Sequence, residues 1–318
     1  MKILPAKQSF CCLVLLVLMT SHYIVFHFHY VRSTPAVVSE FQTREGKTRI
    51  SSNLHQEPFD RLSFLTWEMH PGSQKIHQIG RRPRLLIAQT VSNFYTPLLV
   101  AGQPVNQAYA RAYGHDYVVA RGIYLVDERR NETQMTAPDS RAAYNKIALL
   151  SYALREGKYD KLLVLDSDAI IRDFDVDFAT YGYDPDILLF AQSVGSGNPT
   201  NYWDVNNGVT LWNLRHDSFV SIWFEWYRRS VEKVYRGFRD EDQSVLHEVL
   251  KEMPDESRPV RGVNYFCCVL GSLIQHFPRT NHRVFTVMAD SRLQSLKAAA
   301  NATFVHYAAL INRTATED

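Results

Sequence analysis

Asp166 and Asp168 are two carboxylates one residue apart, and they leave the end of a short apolar run, Leu162–Leu165. An Asp-x-Asp of this kind holds a divalent cation from one side, leaving other coordination positions to water and to the phosphate oxygens of a substrate. The plainer use of the same residues is a polar turn in which the aspartates accept backbone N–H groups. Four apolar residues bounded by charge read as a buried strand, and open α/β sheets bind ligands beyond the carboxyl ends of such strands. What the pair does therefore depends on the elements that place it.

Upstream, Arg84–Thr90 is a predicted strand ending in small polar residues, Leu98–Tyr113 a helix stopped by Gly114, and Asp116–Ala120 a second strand. Asp139-Ser140 offers an N-cap to a helix over Arg141–Glu156, with Tyr144, Ile147, Leu150 and Leu154 on one face and Gly157 at its end. Downstream, Ile187–Ala191 and Gly208–Trp212 read as strands. Ser218–Arg236 reads as a long amphipathic helix with core aromatics, and Glu241–Lys251 as a shorter helix opened by an acidic run. Thr303–Tyr307 is a β-like piece near the end. This alternation implies a parallel α/β sheet with right-handed crossovers.

The 318-residue chain carries a formal net charge of +2, which gives no basic footprint for nucleic acid. Lys2 and Lys7 precede an uncharged stretch, Phe10–Phe28, long enough to cross a bilayer as a helix. We read residues 1–9 as a cytosolic tail, 10–29 as a signal anchor in preference to a cleaved signal peptide, 30–82 as a polar stem, and 83–318 as one lumenal domain. Sequons at Asn131, Asn301 and Asn312 agree with that address. Cys11 and Cys12 fall in the anchor, and Cys267 and Cys268 are adjacent, where a bridge is strained, so no disulfide framework is expected.

Four separated segments resemble one family, the lumenal galactosyl and xylosyl transferases that include fungal α-galactosyltransferases and plant xyloglucan α-xylosyltransferases. They are Asn106–Tyr117 (NQAYARAYGHDY), Tyr144–Ile147 with Leu165–Ala169 (YNKI and LDSDA), Asn206–Asn213 (NNGVTLWN) and Glu241–Leu246 (EDQSVL). The resemblance implies a single GT-A domain, the Rossmann-like α/β fold of nucleotide-diphospho-sugar transferases. It implies a UDP- or GDP-sugar donor, a glycan or polysaccharide acceptor, and transfer with retention to an α-linked product. A Golgi, single-pass type II membrane protein goes with it, with a homo- or hetero-oligomer as a possible assembly.

On this reading Asp166 and Asp168 hold Mn²⁺ or Mg²⁺, Lys146 stands near the pyrophosphate, and Thr90 meets the nucleotide. Asn206, Asn207 and Gly208 meet sugar hydroxyls, while Asp242 and Gln243 stabilise an oxocarbenium-like centre on the face opposite the leaving phosphate. The family's closing His-Phe-x-Gly-Cys element has no clear match here. A nitrogen ligand, which favours Mn²⁺, is assigned to His306 in the β-like run, ahead of its rival His276. Each residue also has an ordinary use: Lys146 as a solvated lysine, the asparagines in a turn, and Asp242 as a helix N-terminal carboxylate.

Two other readings stay open at this level. In one, Asp166 is the nucleophile and Asp168 the acid/base of a Mg²⁺-dependent phosphatase that forms an aspartyl-phosphate, although such a motif normally opens its domain and about 80 residues precede it here. In the other, a lumenal protein keeps the fold and binds glycans without turnover.

Overall fold

The computed structural model describes residues 52–72, 83–182, 184–193, 201–238, 242–253, 260–262, 266, 270–278 and 287–315. The expected tail and anchor, and Cys267–Cys268, lie outside them, and among the described residues no helix is long and apolar enough to cross a membrane. In chain order the first elements are α1 (Ser52–Asp60), β1 (Leu65–His70), β2 (Leu85–Val91), α2 (Thr96–Tyr113), β3 (Asp116–Gly122) and α3 (Asn145–Glu156). There follow β4 (Lys161–Leu165), β5 (Ala169–Ile171), β6 (Leu189–Ser193), β7 (Val205–Asn213) and α4 (Phe219–Tyr235). The last are α5 (Asp242–Lys251), β8 (Val260–Gly262), β9 (Ile274–His276) and α6 (Val287–Ala315).

Seven strands form one sheet in the order β1-β3-β2-β4-β7-β6-β8, and β5 and β9 form a separate two-stranded sheet. β2 lies between β3 and β4, parallel to both. Its residues are buried on both faces, as are those of β4, because helices cover each side. Leu86, Ala88, Leu162 and Val164 face one core layer under α3, α4 and α5. Leu85, Ile87, Leu163 and Leu165 face the other, under α2 and α6, as the two-residue period of a strand requires. This is the α/β architecture expected from the sequence, a sheet with a parallel centre and helices on both faces.

Three local expectations are corrected. The sheet is not wholly parallel: β7 runs antiparallel to β4 and to β6. β6 and β7, joined by residues 194–204, are consecutive in the chain and pair as antiparallel neighbours. Residues 52–70, assigned to the stem on their polarity, belong to the domain. Leu62 and Leu65 are buried, and β1 pairs with β3 along its whole length. β1 is an edge strand with a half-exposed face, which is why its composition resembles a stem. Finally, Thr303–Tyr307 is helical within α6, broken only by Tyr307 at φ −102 and ψ 15. Ala298–Ala300 and Ala308–Ala309 flank it, and helix propensity summed over that window outweighs four β-formers.

Lys161 opens β4 in a buried position and donates from Nζ to the Tyr181 carbonyl at 3.0 Å. Burial pushes its ammonium down to about 8 from an ordinary 10.5, with Asp177 and Asp160 opposing the fall. Between those two values the unfolded chain holds more protons than the folded one, so stability rises with pH across the window. Relative to Lys161→Met, the wild type is expected to gain up to about 1.4 kcal/mol per pH unit from pH 8 to 10.5 in urea unfolding. A difference independent of pH would contradict this.

Candidate active site

The acidic turn is carried by β4 and fixed from below. Gln89, buried in β2, donates from Nε2 to the Asp166 carbonyl at 2.9 Å. Asn106, buried in α2, donates to Gln89 Oε1 and to the Ala169 carbonyl, and its own carbonyl accepts the Ile171 N–H. Tyr117 adds a further hydrogen bond to Gln89 Oε1. A buried polar network in which every member is satisfied holds one geometry, and here that geometry is the path from Asp166 to Ile171. The sequence carried a sign of it: Gln89 and Asn106 interrupt otherwise apolar faces.

Because β7 is antiparallel to β4, its beginning lies beside the end of β4. Leu165 pairs with Val209, and the Asp166 N–H donates to the Gly208 carbonyl at 2.7 Å. On the other side, β5 continues from the turn and pairs with β9, setting Ala169 opposite His276. The Phe277 N–H donates to the Asp168 carbonyl, so His276 is locked against the turn. His276 Nε2 stands 3.5 Å from Asp166 Oδ2 and 3.4 Å from Asp168 Oδ1, while its Nδ1 is buried without a partner.

Asp166, Asp168 and His276 each offer one ligand atom within 4.8 Å of the others. Gly208 keeps the space among them clear: a Cβ there would stand 2.2 Å from His276 Cε1 and 2.8 Å from Asp166 Oδ2. Two carboxylates and one imidazole around such a gap fit an oxygen-preferring divalent ion that accepts nitrogen.

Lys146 lies in the first turn of α3 and is buried, not solvated as an ordinary lysine would be. Its Nζ lies 3.0 Å from Asp166 Oδ1 and 3.2 Å from Asp242 Oδ2. Burial alone would lower the Lys146 ammonium, but Asp166 and then Asp242 hold it above its ordinary value. Burial likewise works against ionised Asp166, yet Lys146 and His276 hold that carboxyl at about 2. His276 is driven down by burial and up by Asp168 and Asp166, ending at about 9. Asp242 also accepts from Asn207 Nδ2 at 2.6 Å, and Gln243 Oε1 accepts the Asn207 N–H at 3.0 Å. Asn206 serves the turn, with its Oδ1 accepting the Gly208 N–H.

Apart from Asn207, which is buried behind Asp242, these residues line a cleft of about 460 Å³ at the carboxyl ends of β2 and β4, within the size range of small-ligand sites. Thr90 opens onto it, and both Thr90 Oγ1 and Asn207 Oδ1 are buried with no protein partner. All the expected site residues therefore converge except His306. That residue is exposed on α6, in edge-on contact with the Tyr307 ring, and is absent from the cleft lining. The place assigned to it is filled by His276. Arg292 was not anticipated: it comes from α6 and pairs with Asp168, and nothing in its neighbourhood of the sequence marks it.

No protein-family model and no curated protein matches the chain. Among solved structures it is similar to a glycosyltransferase involved in the glycosylation of the major capsid of PBCV-1, at 15% identity over 68% of this chain and 100% of that one, with a TM-score of 0.48. It is also similar to the glycosyltransferase GlyE in Streptococcus pneumoniae TIGR4, at 14% identity over 70% of this chain and 64% of that one, TM-score 0.40. A third is the galactosyltransferase LgtC in complex with donor and acceptor sugar analogs, at 15% identity over 67% of this chain and 95% of that one, TM-score 0.37.

Proposed function

We propose that this protein is a metal-dependent glycosyltransferase that moves a hexose or pentose from a UDP- or GDP-sugar to a glycan or polysaccharide acceptor, with retention of configuration. The observation that carries the reading is the convergence of Asp166, Asp168 and His276 on the gap left by Gly208, in a cleft that also holds the buried Lys146. Asp166, Asp168 and His276 would hold Mn²⁺ or Mg²⁺, which supplies neutralisation of the departing diphosphate. Lys146 adds a fixed positive charge to the same region, and Asp242 keeps it in place and ionised. Gln243, tethered through its Oε1 to the Asn207 N–H, lines the cleft, where with Asp242 it would stabilise the oxocarbenium-like centre of the sugar. Thr90 Oγ1, in the wall of the cleft, supplies unused hydrogen-bonding capacity for the donor.

Placement in the Golgi membrane, with the domain lumenal, belongs to the same proposal and rests on the N-terminal apolar stretch and the sequons. Asn131, Asn301 and Asn312 are all exposed, as glycan acceptors must be. Full-length protein treated with endoglycosidase should shift in mobility if they are used.

The test is a screen of the purified protein against UDP- and GDP-sugars with and without Mn²⁺, reading released sugar and then the anomeric configuration of the product by NMR. Metal-dependent consumption of one donor and an α-linked product are expected. No turnover of any donor, or a phosphorylated protein intermediate, would overturn the reading. His276→Ala is expected to weaken Mn²⁺ binding about 10- to 100-fold or more, and His306→Ala to leave it unchanged, as read by the electron paramagnetic resonance signal of free Mn²⁺. The reverse pattern would return the ligand role to His306.

A further inference from the structure

Helix α6 reaches the cleft through a residue to which the proposed reaction gives no task. Arg292, Leu296, Ala300 and Thr303 recur at helical spacing and share one face of α6. Leu296, Ala300 and Thr303 are buried against the domain, and Leu296 and Ala300 belong to the core layer under α2 and α6. One turn before Leu296 the same face passes over the cleft, where Arg292 donates from Nη2 to Asp168 Oδ2. Its guanidinium carbon lies 5.9 Å from the centre of the Tyr95 ring, and its Nε is buried with no partner.

We propose that Arg292 is an exchangeable counter-ion, and this rests on the donor reading above. It pairs with Asp168 in the protein alone and passes to the diphosphate of the donor when cation and donor bind, so that the two bind in a coupled way. Both oxygens of Asp168 are engaged, Oδ1 by His276 and Oδ2 by Arg292. A dication drawing on that carboxylate competes with the guanidinium for the same negative charge, and like charges at contact range oppose one another. A diphosphate relieves the conflict, because it brings negative charge in the planar geometry that a guanidinium fork matches with two donors, and Nε is available as one of them.

Lys146 is not suited to such a transfer. Two carboxylates pin it, and its side chain is 7% exposed, whereas Arg292 answers to Asp168 alone among these carboxylates and is 16% exposed. The move asked of Arg292 is a change of rotamer, since Leu296 and Ala300 fix α6 in the core.

The experiment measures Mn²⁺ binding to the full-length protein by electron paramagnetic resonance, first with Mn²⁺ alone and then with UDP or GDP, in wild type, Arg292→Gln and Arg292→Lys. Arg292→Gln is expected to bind Mn²⁺ alone several-fold more tightly than wild type. The factor by which nucleotide raises Mn²⁺ affinity should fall about 10-fold, and nucleotide affinity in Mn²⁺ should fall by the same factor, as reciprocity requires. Arg292→Lys, which keeps the charge, should retain part of the coupling. Unchanged coupling in Arg292→Gln, or weaker binding of Mn²⁺ alone, would overturn the inference while leaving the donor reading intact. A wild type that takes up neither Mn²⁺ nor nucleotide would overturn both.

Discussion

Asp168→Ala is expected to lower metal-dependent donor turnover by on the order of 10²- to 10³-fold or more, because on the proposed reading the side chain would hold the cation and it is the partner of two cationic groups in the cleft. The fold should survive the change. The backbone bonds that shape the turn, from Asp166 N–H to the Gly208 carbonyl and from Phe277 N–H to the Asp168 carbonyl, do not involve the side chain. Asp168→Asn is the companion variant, since it keeps the size and removes only the charge. Turnover and thermal unfolding followed by circular dichroism would be measured together. A variant that folds, binds Mn²⁺ as the wild type does and keeps near-wild-type turnover would remove the metal assignment.

Gly208→Ala is expected to disable the site without touching a single ligand. The added methyl would stand 2.2 Å from His276 Cε1, 2.7 Å from Nε2 and 2.8 Å from Asp166 Oδ2, distances that force the ring or the carboxylate aside. Gly208 is not among the glycines with positive φ, so the effect comes from contact and not from backbone strain. Overpacking of this kind destabilises by about 1–3 kcal/mol. Mn²⁺ affinity should fall about 10- to 100-fold, because ligand groups displaced by even a fraction of an ångström lose their common focus. Unaltered Mn²⁺ affinity in Gly208→Ala would mean that the ion sits elsewhere.

The parts of the site legible in the sequence were those that a strand or helix end announces locally. Leu162–Leu165 followed by Asp-Ser-Asp gave a buried strand and its turn, and Gly114 and Gly157 ended their helices in the left-handed conformation expected of them. Asp242 opened its helix as its acidic surroundings implied. The Asp139-Ser140 signal was only half right: no side-chain cap forms, and a tight 3-10 turn over Asp139–Tyr144 precedes α3. What could not be read was contact between distant segments. His276 reaches the turn through a three-residue strand, β9, too short to leave a periodic signal, paired with another of the same length. His306 had the more β-like neighbours and lost to the helix propensity around it. Arg292 is brought to Asp168 by the packing of α6 on α2, and the polarity of its surroundings is that of any helix surface.

The central claim is that Asp166, Asp168 and His276 form one cation site serving a nucleotide diphosphate. Titration of Mn²⁺ into the purified protein with saturating UDP or GDP, counting bound ions by electron paramagnetic resonance, tests it most directly in wild type and in a double variant carrying Asp166→Asn and Asp168→Asn. The account predicts one tightly bound equivalent per wild-type chain and none in the double variant, with both proteins unfolding cooperatively. A folded double variant that still takes up one equivalent, or a wild type that takes up none, would contradict it.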